Sequence, residues 1–158
     1  MAKSHALPFS NSHISVLKPL ELLYSDVWGP SPILSTTSAR YYISFLDDST
    51  KVLWLFSLKL KSDALQIFQK FQAAVECQFN TKIKAIQTDW GGEYHSLNHF
   101  LQTQGITHRV TCPYTHQKVD AIERRHRQIV EVGLALLAHS HLPNIFLGRC
   151  LLNCCLYH

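Results

Sequence analysis

The apolar positions along the chain change period more than once. Between residues 20 and 58 they fall in short runs rich in β-branched and aromatic side chains. LELLYSDVWGP (20–30) is stopped by Gly29 and Pro30, and RYYISFLDDS (40–49) and VLWLFSL (52–58) flank a polar turn at Asp47, Asp48 and Ser49. These runs predict three consecutive strands in an antiparallel meander, the last two a hairpin, with SPILSTTSA (31–39) as loop. The period then lengthens. Apolar residues at 64, 67, 68, 71, 74, 75 and 79 form one face of a helix over 62–79, with Ser62 as N-cap. IKAIQTD (83–89) returns to strand character and ends at Asp89, before Gly91 and Gly92. A short helix over SLNHFLQTQ (96–104), closed by Gly105, and a strand over ITHRVT (106–111) follow. AIERRHRQIVEVGLALLAHS (121–140) has apolar positions at 122, 129, 130, 133, 136 and 137 and reads as a long helix, stopped by Pro143. A last apolar helix starts near Asn144, and residues 1–19 are polar and aperiodic, an extended arm. The order β-β-β-α-β-α-β-α predicts a single α/β domain, a mixed sheet covered by helices.

Composition narrows the class. The 158 residues are 46% hydrophobic and 16% charged, with six Gly and six Pro, which excludes disordered, collagen-like and low-complexity chains. Fifteen Lys and Arg against eleven Asp and Glu give a net charge of +4, and ten His add positive charge as pH falls. That balance is compatible with a polyanionic partner without demanding one. MAKSHALPFS lacks the apolar core of a signal peptide, and the longest apolar stretch, NIFLGRCLLNCCLY, is short and broken by Arg149 and two Asn. The five cysteines are odd in number and form no C-x-x-C pair, which points to a reducing compartment, cytosolic or nuclear. Cys154 and Cys155 read as small hydrophobes.

Candidate chemistry rests on three acids. Ligand sites in sheets with helical crossovers collect at the carboxyl ends of strands. Asp26 lies late in the first strand and Asp89 ends the fourth, while Glu123 opens the long helix just before Arg124, Arg125, His126 and Arg127. Carboxylates converging from separate elements suit Mg²⁺, which takes oxygen ligands and is held by few carboxylates plus substrate phosphates. The arginines would then face the polyanion. Each acid also has a plain reading. Asp26 can end a strand before the Trp28-Gly29-Pro30 turn, and Asp89 can belong to an ordinary Gly-Gly turn. Asp120 and Glu123 have capping-box spacing. Other features read as structural: Asp47 and Asp48 as a solvated hairpin turn, His139 and His141 as favourable charge near a helix C-terminus, and Trp54 as core. His95 and His99 have helical metal spacing but no third ligand, and Trp28 and Trp90 could stack on bases.

Read together, LELLYSDVWGPSP, RYYISFLDDSTKVLWLFSLKLKSDALQIFQKF, FNTKIKAIQTDWGGEY, GITHRVTCPYTHQ and AIERRHRQIVEVGLALL resemble the integrase catalytic core of copia-type LTR retrotransposons. That core is of the retroviral integrase type within the RNase H-like superfamily, and the likeness runs from about residue 3 to the end of the chain. It implies an RNase H-like fold, a five-stranded mixed sheet with its first three strands antiparallel and helices on the faces. It implies catalytic, metal-binding roles for Asp26, Asp89 and Glu123. One Mg²⁺ (or Mn²⁺) would lie between Asp26 and Asp89 and a second between Asp26 and Glu123. The implied reaction is DNA strand transfer, in which a 3′-hydroxyl of element DNA attacks a target phosphodiester. Lys118, Arg124, Arg125 and Arg127 would lie near DNA phosphate. The implied partners are element ends and target DNA and further copies of the chain, with no membrane and a nuclear location for a functional integrase, cytoplasmic otherwise.

Three features depart from that pattern. Lys118-Val119-Asp120 stands where relatives carry Gln-Asn-Gly, the connection over residues 90–122 is slightly short, and Trp90 replaces a frequent Asn. The resemblance divides the chain into an arm (1–19) left after a missing zinc module, a catalytic core (20–143) and a truncated helical segment (144–158). Two alternatives to an active enzyme stand beside it: a catalytically inactive DNA-binding remnant and a recruited protein-interaction module.

Overall fold

The computed structural model describes residues 18–31, 38–89 and 91–110, and beyond them 124, 127, 128, 131, 132, 135, 138–141 and 143. Five strands lie among these: β1 (Leu23–Trp28), β2 (Tyr41–Asp47), β3 (Leu53–Leu58), β4 (Ala85–Thr88) and β5 (Thr107–Val110). Two helices join the later strands, α1 (Ala64–Phe79) and α2 (Tyr94–Thr103). The sheet order is β3-β2-β1-β4-β5. β1, β2 and β3 pair antiparallel, whereas β4 runs parallel to both β1 and β5. This is the mixed sheet of the RNase H-like fold, with the meander and the helical crossovers where the periodicity places them.

Strand alternation sorts the side chains onto two faces. Leu23 and Val27 of β1, Ile43 and Phe45 of β2 and Ile86 of β4 join the inner faces of α1 and α2 in the larger core cluster. Phe71 of α1 sits at its centre, stacked on Phe45 at 4.3 Å between ring centroids and edge-on to Trp54 and Phe56 at 5.3 and 5.9 Å. Such ring pairs add about 0.5–1.5 kcal/mol each beyond the area they bury. Trp54 is thus partly buried against the edge of the core, not within it as its place in an apolar strand implies. Leu22, Tyr24, Leu46 and Ala85 form a second cluster on the opposite face.

The boundaries differ from the sequence reading in instructive ways. α1 begins two residues late, because Lys61–Asp63 form a 3-10 turn that takes in Ser62, so Ser62 does not cap the helix. Asp63 instead accepts a hydrogen bond from the Leu60 N–H at 3.0 Å. α1 ends at Asn80 in the left-handed region, and Gly105 follows α2 with φ of +71°. Asp47 departs most. It is fully buried, and its carboxylate accepts from the Leu20 N–H (2.9 Å), the Thr50 N–H and the Thr50 hydroxyl (both 2.8 Å). A solvated turn is the wrong picture for it, although Asp48 fits one, paired with the exposed Lys51. Among the described residues no helix is long and apolar enough to cross a membrane.

Candidate active site

The parallel β1–β4 ladder pairs Leu23 with Ile86 and Tyr24 with Gln87. The same offset carried two residues further sets Asp26 level with Asp89. Alternation turns both acids onto the face of Tyr24 and Ala85, away from α1 and α2. Two acids distant in sequence therefore come together at the carboxyl ends of adjacent parallel strands, where open α/β sheets place their ligands. Asp26 is partly buried and Asp89 exposed. Asp89 Oδ1 accepts from the Gly91 N–H at 3.1 Å, which turns the chain out of the sheet just past the acid.

The surroundings are shaped by the turn after β1 and by buried tyrosines on both faces of the sheet. Gly29 follows β1, with a φ of +134° and an added Cβ that would lie 2.7 Å from the Arg40 carbonyl oxygen, so no side chain fits there. Trp28 is partly buried in ring contact with Tyr42 at 5.9 Å. On the acid-bearing face, burial pushes the Tyr24 hydroxyl up to about 12, with Asp48 adding to the shift and Arg109 opposing it. On the other face, Tyr94 is fully buried and shares a 2.9 Å hydrogen bond with Ser25. Burial holds its hydroxyl well above the ordinary tyrosine value, the Ser25 bond opposes this, and Asp26, Asp89 and Glu93 reinforce it. Tyr94 thus feels both acids through the sheet. Glu93 itself pairs with Lys61 at 3.2 Å.

Close by, His108 Nδ1 lies 3.1 Å from Asn98 Oδ1 and Nε2 lies 2.9 Å from the Thr88 hydroxyl. A neutral ring donating from Nδ1 and accepting at Nε2 satisfies both, and burial lowers the His108 pKa. The unfolded chain therefore binds this proton more readily, and stability falls as pH drops through the usual histidine range of about 6.5. The stability difference between wild type and His108→Gln, read from urea unfolding, should shrink between pH 7.5 and 5. A difference constant across that range would refute this titration.

Of the remaining predicted site residues, Arg124 and Arg127 are helical and exposed, as are Gln128, Glu131, Val132, Ala135, Ala138 and His139. Glu123, Lys118, Arg125 and Trp90 lie outside the described residues. Among the described residues no group of three or more His, Cys, Asp or Glu gathers as a metal site, and His95 and His99 are exposed. Hydroxyl residues directly before each acid, Ser25 and Thr88, were the available signal for the network behind them.

No family model matches the chain. Curated relatives do. The chain is 46% identical over 144 residues to the retrovirus-related Pol polyprotein from transposon RE2 of Arabidopsis thaliana, covering 91% of this chain and 10% of that protein. It is 38% identical over 155 residues to the corresponding polyprotein from transposon TNT 1-94 of Nicotiana tabacum, covering 97% of this chain and 12% of that one. The chain thus spans about a tenth of the length of these relatives. Among solved structures it resembles a chain of the simian T-cell lymphotropic virus intasome in complex with PP2A regulatory subunit B56 gamma, with TM-score 0.69 and 17% identity, covering 95% of this chain and 53% of that one. It also resembles the HTLV-2 integrase catalytic core domain in complex with magnesium (trimeric form), with TM-score 0.60 and 18% identity, covering 90% and 85%. By sequence the chain is a homologue of one segment of the copia-type Pol polyproteins, and it has the fold of the retroviral integrase catalytic core.

Proposed function

We propose that the chain is an integrase core that joins DNA ends to target DNA by metal-dependent polynucleotidyl transfer. One observation carries this reading: the β1–β4 register, Leu23 with Ile86 and Tyr24 with Gln87, continued by two residues sets Asp26 level with Asp89 at the carboxyl ends of the strands. The donor chemistry fits a hard divalent cation, since both are carboxylates on neighbouring strands and Asp89 is open to solvent. Glu123 completes the set in this proposal. Bound there, Mg²⁺ or Mn²⁺ ions supply charge stabilisation for the attacking and leaving oxygens of an in-line displacement. The chain's own residues hold the carboxylates at the strand ends and bind the phosphate backbone. Lys118, Arg124, Arg125 and Arg127 take the second role, DNA and further copies of this chain are the partners, and the nucleus is the place of action. The test is joining or nicking of labelled DNA ends by the purified chain with Mg²⁺, Mn²⁺ or EDTA. Product in the metal lanes alone supports the reading, and equal product in all lanes removes it.

The exposed Arg124 and Arg127, one helical turn apart, favour DNA binding even for an inert copy. Each phosphate neutralised contributes about 0.9 to the slope of log affinity against log salt. Arg124→Ala with Arg127→Ala should therefore lower that slope by about 2 in a fluorescence-anisotropy titration, uniformly across DNA sequences. An unchanged slope would place the phosphate contacts elsewhere.

A further inference from the structure

The ladder pairs joining β1 to β4 run to Tyr24↔Gln87. The next level up holds Ser25 and Thr88, and the level after that holds Asp26 and Asp89. The two acids thus lie beyond the last pair that ties their strands to each other among the described residues. At the level below the acids, side-chain hydrogen bonds run from both strands to α2, directly from Ser25 and from Thr88 by way of His108 on β5. Ser25 and Thr88 are 3% and 1% exposed and turn to the face opposite the acids. Ser25 bonds the Tyr94 hydroxyl at 2.9 Å. Thr88 bonds His108 at 2.9 Å, and His108 bonds Asn98 at 3.1 Å. Tyr94 and Asn98 are four apart on α2, hence on one side of the helix. The Tyr94 and His108 rings lie 6.5 Å apart, so the two arms of the network adjoin.

We propose that Ser25, Thr88, Tyr94, Asn98 and His108 form a brace through which α2 sets the separation of Asp26 and Asp89, making them positioning residues for the metal site. The proposal rests on the metal-binding reading above. Ser25 bonds α2 directly and Thr88 reaches it through His108 of β5, so the residue before each carboxylate is tied to the same side of one helix. Apolar side chains at 25 and 88 would fill the same face without fixing the strands relative to each other, because their contacts carry no direction.

The test reads metal binding without catalysis. Mn²⁺ is titrated into the intact chain and the free ion counted from its electron paramagnetic resonance signal, well below the melting temperature. Wild type should bind and Asp89→Asn should not. Tyr94→Phe and Thr88→Val should each raise the Mn²⁺ dissociation constant at least about threefold, less than the roughly 10–100-fold of partners bonded to a ligand itself, because these act one residue removed. The pair Ser25→Ala with Tyr94→Phe removes both hydroxyls and leaves neither unsatisfied, yet its dissociation constant should stay raised. A purely structural role predicts lower melting temperatures with wild-type Mn²⁺ affinity, and that result overturns the brace while leaving the metal site intact. Recovery of wild-type affinity in the double variant overturns it as well. If wild type and Asp89→Asn bind Mn²⁺ alike, the metal-site reading falls and the brace with it.

Discussion

Asp89→Asn should abolish metal-dependent strand transfer, lowering the rate at least about 1,000-fold while leaving the fold intact. The magnitude follows from the role proposed for the carboxylate. Metal-assisted charge stabilisation amounts to several kcal/mol at the transition state, and about 4 kcal/mol corresponds to three decades in rate at 25 °C. The substitution isolates charge from shape. An amide oxygen at the same place can still accept from the Gly91 N–H, now 3.1 Å from Oδ1, so the turn after β4 keeps its anchor. Asp89 is exposed, and such changes usually shift stability by less than about 0.5 kcal/mol. Asp26 also loses a like-charged neighbour, so the metal-free variant should be no less stable than wild type. The measurement is single-turnover joining of labelled DNA ends beside thermal unfolding of the same preparations. Activity within a few-fold of wild type, in a folded variant, would sink the assignment of Asp89.

The architecture was legible because each element carries its own period. Alternating aromatic and β-branched runs gave way to a helical spacing at residue 64, and the observed α1 ends at Phe79, where the spacing does. The juxtaposition of Asp26 and Asp89 was legible only as an expectation about strand ends, since nothing local records that β4 inserts beside β1. The resemblance to integrase cores supplied that partner. Ser62 misled because Ser before an apolar-periodic run is a good N-cap signal, and a 3-10 turn closed by Asp63 outcompetes it. The brace behind the acids stayed hidden for a different reason. Ser25, Thr88, Tyr94, Asn98 and His108 come from four elements, and a polar residue facing a core looks in sequence like one facing water. Glu123 and the cations at 118 and 125 fall outside the described residues, so their part in the site rests on the resemblance.

Asp47→Ala should destabilise the domain by about 3 kcal/mol, although adjacent acids in a hairpin turn look expendable. The carboxylate is wholly buried and takes three hydrogen bonds, and those made to a charged group contribute about 1.5–3 kcal/mol each. The losses will not sum. Thr50 is exposed, so water can satisfy its N–H and hydroxyl once Asp47 is gone. Leu20 cannot be rescued so easily, being fully buried with its N–H aimed at Oδ1. It also holds a φ of +64°, a left-handed conformation that a leucine adopts only when its surroundings impose it. Asp47 is thus the fixed point that both closes the β2–β3 turn and fastens the chain entering β1. Asp47→Asn should cost less, about 1–2 kcal/mol, because one oxygen still accepts while the amide nitrogen meets a donor. Urea unfolding should rank wild type above Asp47→Asn above Asp47→Ala, with Mn²⁺ affinity of the folded protein unchanged in both. A loss below about 0.5 kcal/mol for the alanine variant would mean that water reaches Leu20 and that this carboxylate does not anchor the sheet.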